Sequence, residues 1–244
     1  MRRFEVLGVE GLPEVRSGDD LSELILARCS LRQGDVVVVA QKVVSKAEGR
    51  LRRLPEVQPG AEALEYASQI AGDPRLMQVI LDESVRVVRA ERVLIVETKH
   101  GYVCANAGVD HSNVPGEETV VLLPEDSDRS AAELRSRLSQ ASGVEVGVIV
   151  ADTFGRAWRM GIANVALGVA GVPGLIDHRG RPDDFGHELQ ATVIAVGDEL
   201  AGAAELMMGK TERIPVAIIR GWQAEAPPNT GRDLIRPADL DLFR

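Results

Sequence analysis

Hydrophobic and polar positions along the chain follow two periods in turn. Short β-branched runs are closed off by turn residues, and longer segments repeat apolar residues every three or four positions. "RRFEVLGV" reads as a first strand and "GLPEV" as the turn after it. In "SGDDLSELILARCSL", Asp and Ser offer N-caps ahead of Leu21, Leu24, Ile25 and Leu31 at near-helical spacing. "VVVVA" follows the turn "RQGD" and reads as a buried strand. "GAEALEYASQIAG" and "DPRLMQVILDESVRVV" read as two helices, the second with Asp73 before Pro74 in its first turn. "RVLIVETKHGYVCANAG" has the pattern of two strands joined at His100-Gly101. The amphipathic helix "SDRSAAELRSRLSQASG" leads into the strand "EVGVIVAD", expected to end at Asp152-Thr153. Leu189, Val193, Val196, Leu200, Ala203 and Met207 predict one long helix, and "IPVAIIRG" a last strand. Alternating helices and strands give a mixed α/β (α+β) class with at least one mostly buried sheet. With no repeat, low-complexity tract or linker, residues 1–244 are expected to form a single domain.

Composition narrows the functional classes. Aromatic residues make up 3% of the chain and the formal net charge is −9, so neither a stacking platform for single strands nor a basic face for a phosphate backbone is present, and no nucleic-acid partner is expected. The longest weakly polar run, "NVALGVAGVPGLI", is 13 residues long against the roughly 20 a membrane span needs. Nor does the N-terminal "MRRFEVLGVEG" carry a signal-peptide core, so a cytoplasmic protein without membrane contact is expected. Cys29 and Cys104 lack the spacing of a zinc site and read as small buried hydrophobes. Lysine occurs only at positions 42, 46, 99 and 210, against an otherwise arginine-based positive charge. A lysine retained in such a chain suggests a place needing a compact point charge, as a phosphate contact does.

Three places could carry chemistry. In "ADTFGRAWR", Asp152 and Thr153 at a strand end offer oxygen ligands to a hard divalent cation such as Mg²⁺; the alternative is an Asp capping a following helix. In "NAGVDHSNV", Asp110, His111, Ser112 and Asn113 place short polar groups on one loop, either as turn chemistry or as a further metal or nucleotide contact. In "AQKVVSKAEGR", Lys42 and Lys46 share one side whether the segment is helical or extended, as a phosphate contact or as a solvated pair. "MMGKTE" is not a P-loop. The pattern GxxxxGK[ST] would need a glycine where Ala204 stands, and here a helix precedes and a strand follows.

The ordered segments "GLPEV", "SKAEGR", "NAGVDHSNV", "DTFGRAWRMG", "RPDDFGHEL" and "GKTERIPVAIIRG" resemble the coenzyme F-420-0:L-glutamate ligase (CofE-like) family across essentially the whole chain. The tail "LIRPADLDLF" is similar to the end of the ligase domain in actinobacterial-type two-domain relatives, and no nitroreductase-like domain is expected here. The resemblance implies a CofE-like fold, neither P-loop nor Rossmann. It implies a GTP-dependent ligase that adds L-glutamate, then further γ-linked glutamates, to the deazaflavin precursor F-420-0 through an acyl phosphate. It also implies Mg²⁺ or Mn²⁺ and a homodimer.

Carried over residue by residue, Asp110 and Asp152 would bind one divalent cation and Thr153 would help bind a second. With Lys46, the two aspartates form the expected catalytic set. Nucleotide contacts would fall on Leu12, Pro13, Glu14 and Val15, on Gln41, Lys42, Lys46 and Asn113, and on Met208, Gly209, Lys210 and Thr211. Arg156, Arg159 and the loop with Asp183, Asp184, His187 and Glu188 are candidates for holding the acidic coenzyme or glutamate, the alternative for that loop being local capping. Archaeal members carry an acidic metal ligand where this chain has Lys210. An ammonium cannot ligate a cation, so either Glu212 substitutes or Lys210 takes over part of the charge and one metal suffices. Two rivals are a metal-dependent phosphohydrolase, weakened by the absence of an Asp-x-Asp nucleophile pattern, and a non-catalytic module that binds the deazaflavin coenzyme.

Overall fold

The computed structural model describes residues 3–111, 118–224 and 226–241. Its central feature is a five-stranded sheet built from β1 (Glu5–Gly8), β2 (Val36–Ala40), β8 (Gly147–Arg156), β9 (Arg159–Ala170) and β12 (Val216–Arg220), in the order β1-β12-β2-β8-β9. Only β2 and β8 run parallel; the other neighbours are antiparallel. The uninterrupted run Val36-Val37-Val38-Val39 is buried on both faces, as a central strand requires. Val37, Val39, Val148, Val150, Val216 and Ile218 pack into one core with Ile25 of α1 (Leu21–Leu26), Val44 of α2 (Gln41–Ala47) and Leu134 and Leu138 of α5 (Ser127–Ser142). The alternate residues Val36, Val38, Ile149, Ala151, Ala217 and Ile219 pack on the other face against Leu200, Ala201 and Ala204 of α6 (Val196–Met208).

A second core joins α3 (Ala61–Ile70) and α4 (Pro74–Asp82) to the antiparallel sheet β4 (Ser84–Ala90), β5 (Leu94–Thr98) and β6 (Val103–Ala105). Met77 and Ile80 there meet Leu94 and Val96, together with Val120 and Leu122 from and after β7 (Thr119–Val121). β7 pairs with β3 (Leu51–Arg53), and the short strands β10 (Ile176–Asp177) and β11 (Val193–Ile194) pair with each other. The class is the mixed α/β expected, and among the described residues neither a P-loop nor a Rossmann arrangement is seen.

Three expectations are corrected. β8 does not end at Asp152-Thr153 but runs on to Arg156 and returns as β9, because Asp152 to Gly155 find ladder partners in Val165 to Ile162. No helix follows there, so the helix-cap alternative for Asp152 falls. The segment after Pro74 is helical only to Asp82. Ser84 Oγ donates to Ile80 O and stops the helix, and "SVRVVRA" pairs with β5 instead. The helix expected from Leu189 starts at Val196, since Val193 and Ile194 pair with β10 and their spacing to Val196 is a coincidence of a short loop.

One irregularity bears on the site. Val150 pairs with Gly168 and Ala151 with Ala166, so Leu167 is an extra residue in β9, a bulge of the kind found beside active sites. Tyr102 Oη donates to Leu167 O at 2.7 Å, and Asp128 Oδ1 accepts from the backbone of Val169 and Gly231. Gly168 lies directly against the start of α5.

Candidate active site

Asp152 sits on β8 one residue beyond the last pair with β2, Ala40 to Ala151. It lies at the carboxyl end of the parallel pair, where open α/β sheets place their ligands. Because strand residues alternate, Asp152 shares the face of Val148 and Val150, and Thr153 shares the α6 face of Ile149 and Ala151. The chain leaves β2 directly into α2, which carries Lys42 and Lys46 on successive turns. Asp110 is fixed by two backbone bonds with Val121 of β7, which β3 pins on its other side.

These elements bring charge together. Lys42 Nζ lies 2.7 Å from Asp110 Oδ2. Burial pushes the Asp152 carboxyl up to about 6; the Thr153 N–H, Lys210 and Lys42 pull it down, while the Asp110 carboxylate pushes it up. The Asp152 carboxyl therefore lies within reach of the Asp110 charge. On the α6 side, Lys210 Nζ donates to Thr153 Oγ1 at 2.6 Å and approaches Glu205 at 3.5 Å. The Cys104 thiol is buried and pushed up to about 12 by that burial and by the Asp152 charge. Glu205 has no signal in the sequence beyond its place one helical turn before Gly209, and Cys104 reads there only as a small buried hydrophobe.

The other candidates lie as follows. Lys46 has 5% of its side chain exposed and pairs with Glu14 at 2.5 Å, which ties α2 to the loop Leu12 to Val15. In that loop Val15 is buried, Leu12 half-buried and Pro13 exposed. Gln41 is 2% exposed and its amide oxygen accepts from Ser45. Met208 is buried at the end of α6, and Gly209 adopts φ 57°, ψ −163°, a conformation essentially restricted to glycine. Glu212 folds back on this turn, accepting from the backbone and hydroxyl of Thr211. Asn113 lies outside the described residues.

Arg156 and Arg159 sit at the exposed tip of the β8–β9 hairpin, where Arg156 donates to Met160 O. Arg156 is four strand positions beyond Asp152, about 13 Å. Asp183 accepts from the backbone of Phe185 and His187 and pairs with the His187 ring at 3.3 Å, closing its own loop; Asp184 and Glu188 are exposed.

The donor set suits one hard cation. Two carboxylates can be completed by water and substrate oxygens, the coordination habit of Mg²⁺. Among the described residues no cluster of three His, Cys, Asp or Glu side chains is positioned for a metal. Thr153 already bonds an ammonium, so a second cation there would require Lys210 to move.

Residues 11–221 match the family model described as F420-0:Gamma-glutamyl ligase. The chain belongs to this family. Among relatives of the F420-0:gamma-glutamyl ligase family, it is 48% identical over 253 residues to the coenzyme F420:L-glutamate ligase of Methanopyrus kandleri, covering all of both chains. It is 44% identical over 250 residues to that of Methanothermobacter thermautotrophicus, covering 99% of each chain. Against the Methanocaldococcus jannaschii enzyme identity is 43% over 247 residues, covering 100% of this chain and 98% of the relative. No helix among the described residues is long and apolar enough to cross a membrane.

Proposed function

We propose that this chain is a cytoplasmic ligase of coenzyme F420 biosynthesis that uses GTP to join L-glutamate to the deazaflavin precursor F-420-0. The family membership and the full-length similarity to proteins named coenzyme F420:L-glutamate ligase support the reaction class. The observation that carries the chemistry is the Lys42–Asp110 ion pair together with Asp152, whose carboxyl feels the charges of Asp110, Lys42 and Lys210, at the carboxyl end of β2 and β8.

A carboxylate is a poor acyl donor because its oxygen is a poor leaving group. In the proposed reaction a precursor carboxylate oxygen attacks the γ-phosphorus of GTP, and the bond to GDP breaks. The neutral amine of glutamate then attacks the acyl carbon, the carbon–oxygen bond to phosphate breaks, and the amine proton passes to solvent. Both reactants of the first step are anions, so charge neutralisation and alignment dominate. Lys42 and Lys210 supply positive charge from opposite faces of β8. Lys46 does so once Glu14 yields to phosphate, with the loop Leu12 to Val15 and the turn Met208 to Thr211 closing around the nucleotide. Asp110 and Asp152 would hold Mg²⁺ or Mn²⁺, which would supply further charge neutralisation. Lys210 occupies the neighbourhood of Thr153, favouring a site with one cation.

The same reading includes a homodimer. Trp158, Met160 and Ile162 at the hairpin tip are 80%, 94% and 56% exposed, an apolar arm of the kind that marks an interface. The test is purified protein with GTP, Mn²⁺, glutamate and F-420-0, followed by mass spectrometry. Products extended by glutamyl residues are expected; GTP hydrolysis without extension would favour a phosphohydrolase, and coenzyme binding without turnover a storage module.

A further inference from the structure

Asn164 stands opposite Thr153 in the β8–β9 ladder. Residues so paired hold their Cβ atoms about 5 Å apart on one face. That face is the α6 side, since the pair Ala151 and Ala166 packs in the α6 core and the Ala166 N–H donates to Asp198 of α6. Asn164 is 5% exposed, and its Nδ2 is buried without a hydrogen-bond partner among the described residues. Native interiors rarely leave an amide donor in that state. The other buried polar atoms without partners among the described residues, on His100, Ser127 and Ser139, belong to the β5–β6 turn and α5. Asn164 stands beside candidate residues, because Lys210 Nζ lies 2.6 Å from the Thr153 hydroxyl across the ladder. The Thr153 oxygen accepts from the ammonium, which leaves its own proton free to donate. An amide, a hydroxyl and an ammonium then share this side of the strand with donor capacity to spare, and Glu205 approaches the ammonium at 3.5 Å.

We infer that Asn164, Thr153 and Lys210 form an oxyanion subsite on the α6 side of β8, which receives a phosphoryl or carboxylate oxygen of a substrate. The subsite rests on the ligase reading only for which substrate brings that oxygen. Its position beside the stretch of β8 that β2 leaves unpaired lets a ligand reach over the strand edge toward Asp152. The cation side and the anion side of the site thus lie on opposite faces of one strand.

The test uses Asn164→Leu, close in volume and without donors, and Asn164→Asp, which keeps the shape but adds negative charge. Asn164→Leu should melt at or above the parental temperature and lose about ten- to a hundredfold in kcat/KM for one substrate, the usual loss of a hydrogen bond to a charged group. Asn164→Asp should lose more. An effect confined to GTP, with weaker GDP binding by calorimetry, identifies a phosphate; one confined to glutamate or F-420-0 identifies a carboxylate or the coenzyme's own anionic group. Parental kcat/KM for all three substrates, or a loss that merely tracks a lowered melting temperature, overturns the subsite. If Asn164→Leu fails to fold, a fully active Asn164→Asp overturns it equally. Should the parent bind its ligands without ligating them, the ligase reading fails alone. The subsite then stands if Asn164→Leu weakens binding of GDP, glutamate or F-420-0, and falls if all three affinities are unchanged.

Discussion

Replacing Gly168 with alanine probes how rigidly the bulge in β9 is tied to α5. The added Cβ would lie 1.9 Å from Ser127 O, 2.2 Å from Ser127 C and 2.7 Å from Asp128 N. Close carbon–oxygen contacts need about 3.3 Å, so the start of α5 and β9 must separate by roughly 1.4 Å. These are backbone atoms and cannot rotate aside, and Asp128 simultaneously holds Val169, Gly231 and Arg232. Overpacking of this kind costs about 1–3 kcal/mol and sometimes more. With the Asp128 contacts stretched as well, the upper end is expected, about 3 kcal/mol. For a chain of this size that lowers the melting temperature by roughly 6–12 °C. Because the bulge lies next to the pair that precedes Asp152, kcat should fall too; a 1 Å misplacement can cost about a hundredfold. The assay is thermal melting with steady-state kinetics on Gly168→Ala, alongside Gly202→Ala in α6, whose added Cβ meets nothing within 4 Å. Gly202→Ala should stabilise by about 0.5–1 kcal/mol. A Gly168→Ala protein that melts within about 1 °C of the parent at full activity would refute the reasoning.

Three further outcomes are expected. Asp152→Asn should abolish glutamyl transfer, measured by mass spectrometry, while retaining F-420-0 binding by fluorescence titration. Asp20 caps α1 and its carboxyl is held below the usual range first by the Ser22 hydroxyl and then by the backbone of Ser22 and Glu23. Its contribution is therefore present above pH 3.8 and lost as pH falls below that value, so Asp20→Ala should cost about 1 kcal/mol in urea denaturation at pH 7 and less at pH 3. Cys104, with its thiol near 12, should resist iodoacetamide at pH 8 in the native protein and react in urea, as read by peptide mapping.

Elements whose own residues decide their state were legible in the sequence. The four valines of β2 could only be buried, and α5 carries a capping Asp126 and a closing Gly143 around an apolar stripe. Of the lysines, Lys42 pairs with Asp110, Lys46 with Glu14 and Lys210 donates to Thr153, whereas Lys99 is exposed in a turn. What escaped detection depends on partners distant in the chain. The strand expected to end at Asp152-Thr153 is carried onward by its ladder with β9. Val193 fits a helical stripe by spacing, yet its register is set by Asp177. The burial of Lys46 against Glu14 spans a sequence separation of 32 and has no local signature.

Asp152 and Thr153 owe their opposite directions to nothing but their order in β8. Inserting or deleting a single residue between Val148 and Asp152 would turn the carboxylate toward α6 and away from Lys42 and Asp110. The length of this stretch is therefore as constrained as its composition. Variation in chain length should instead collect where side chains answer only to their own loop, as they do around Asp183.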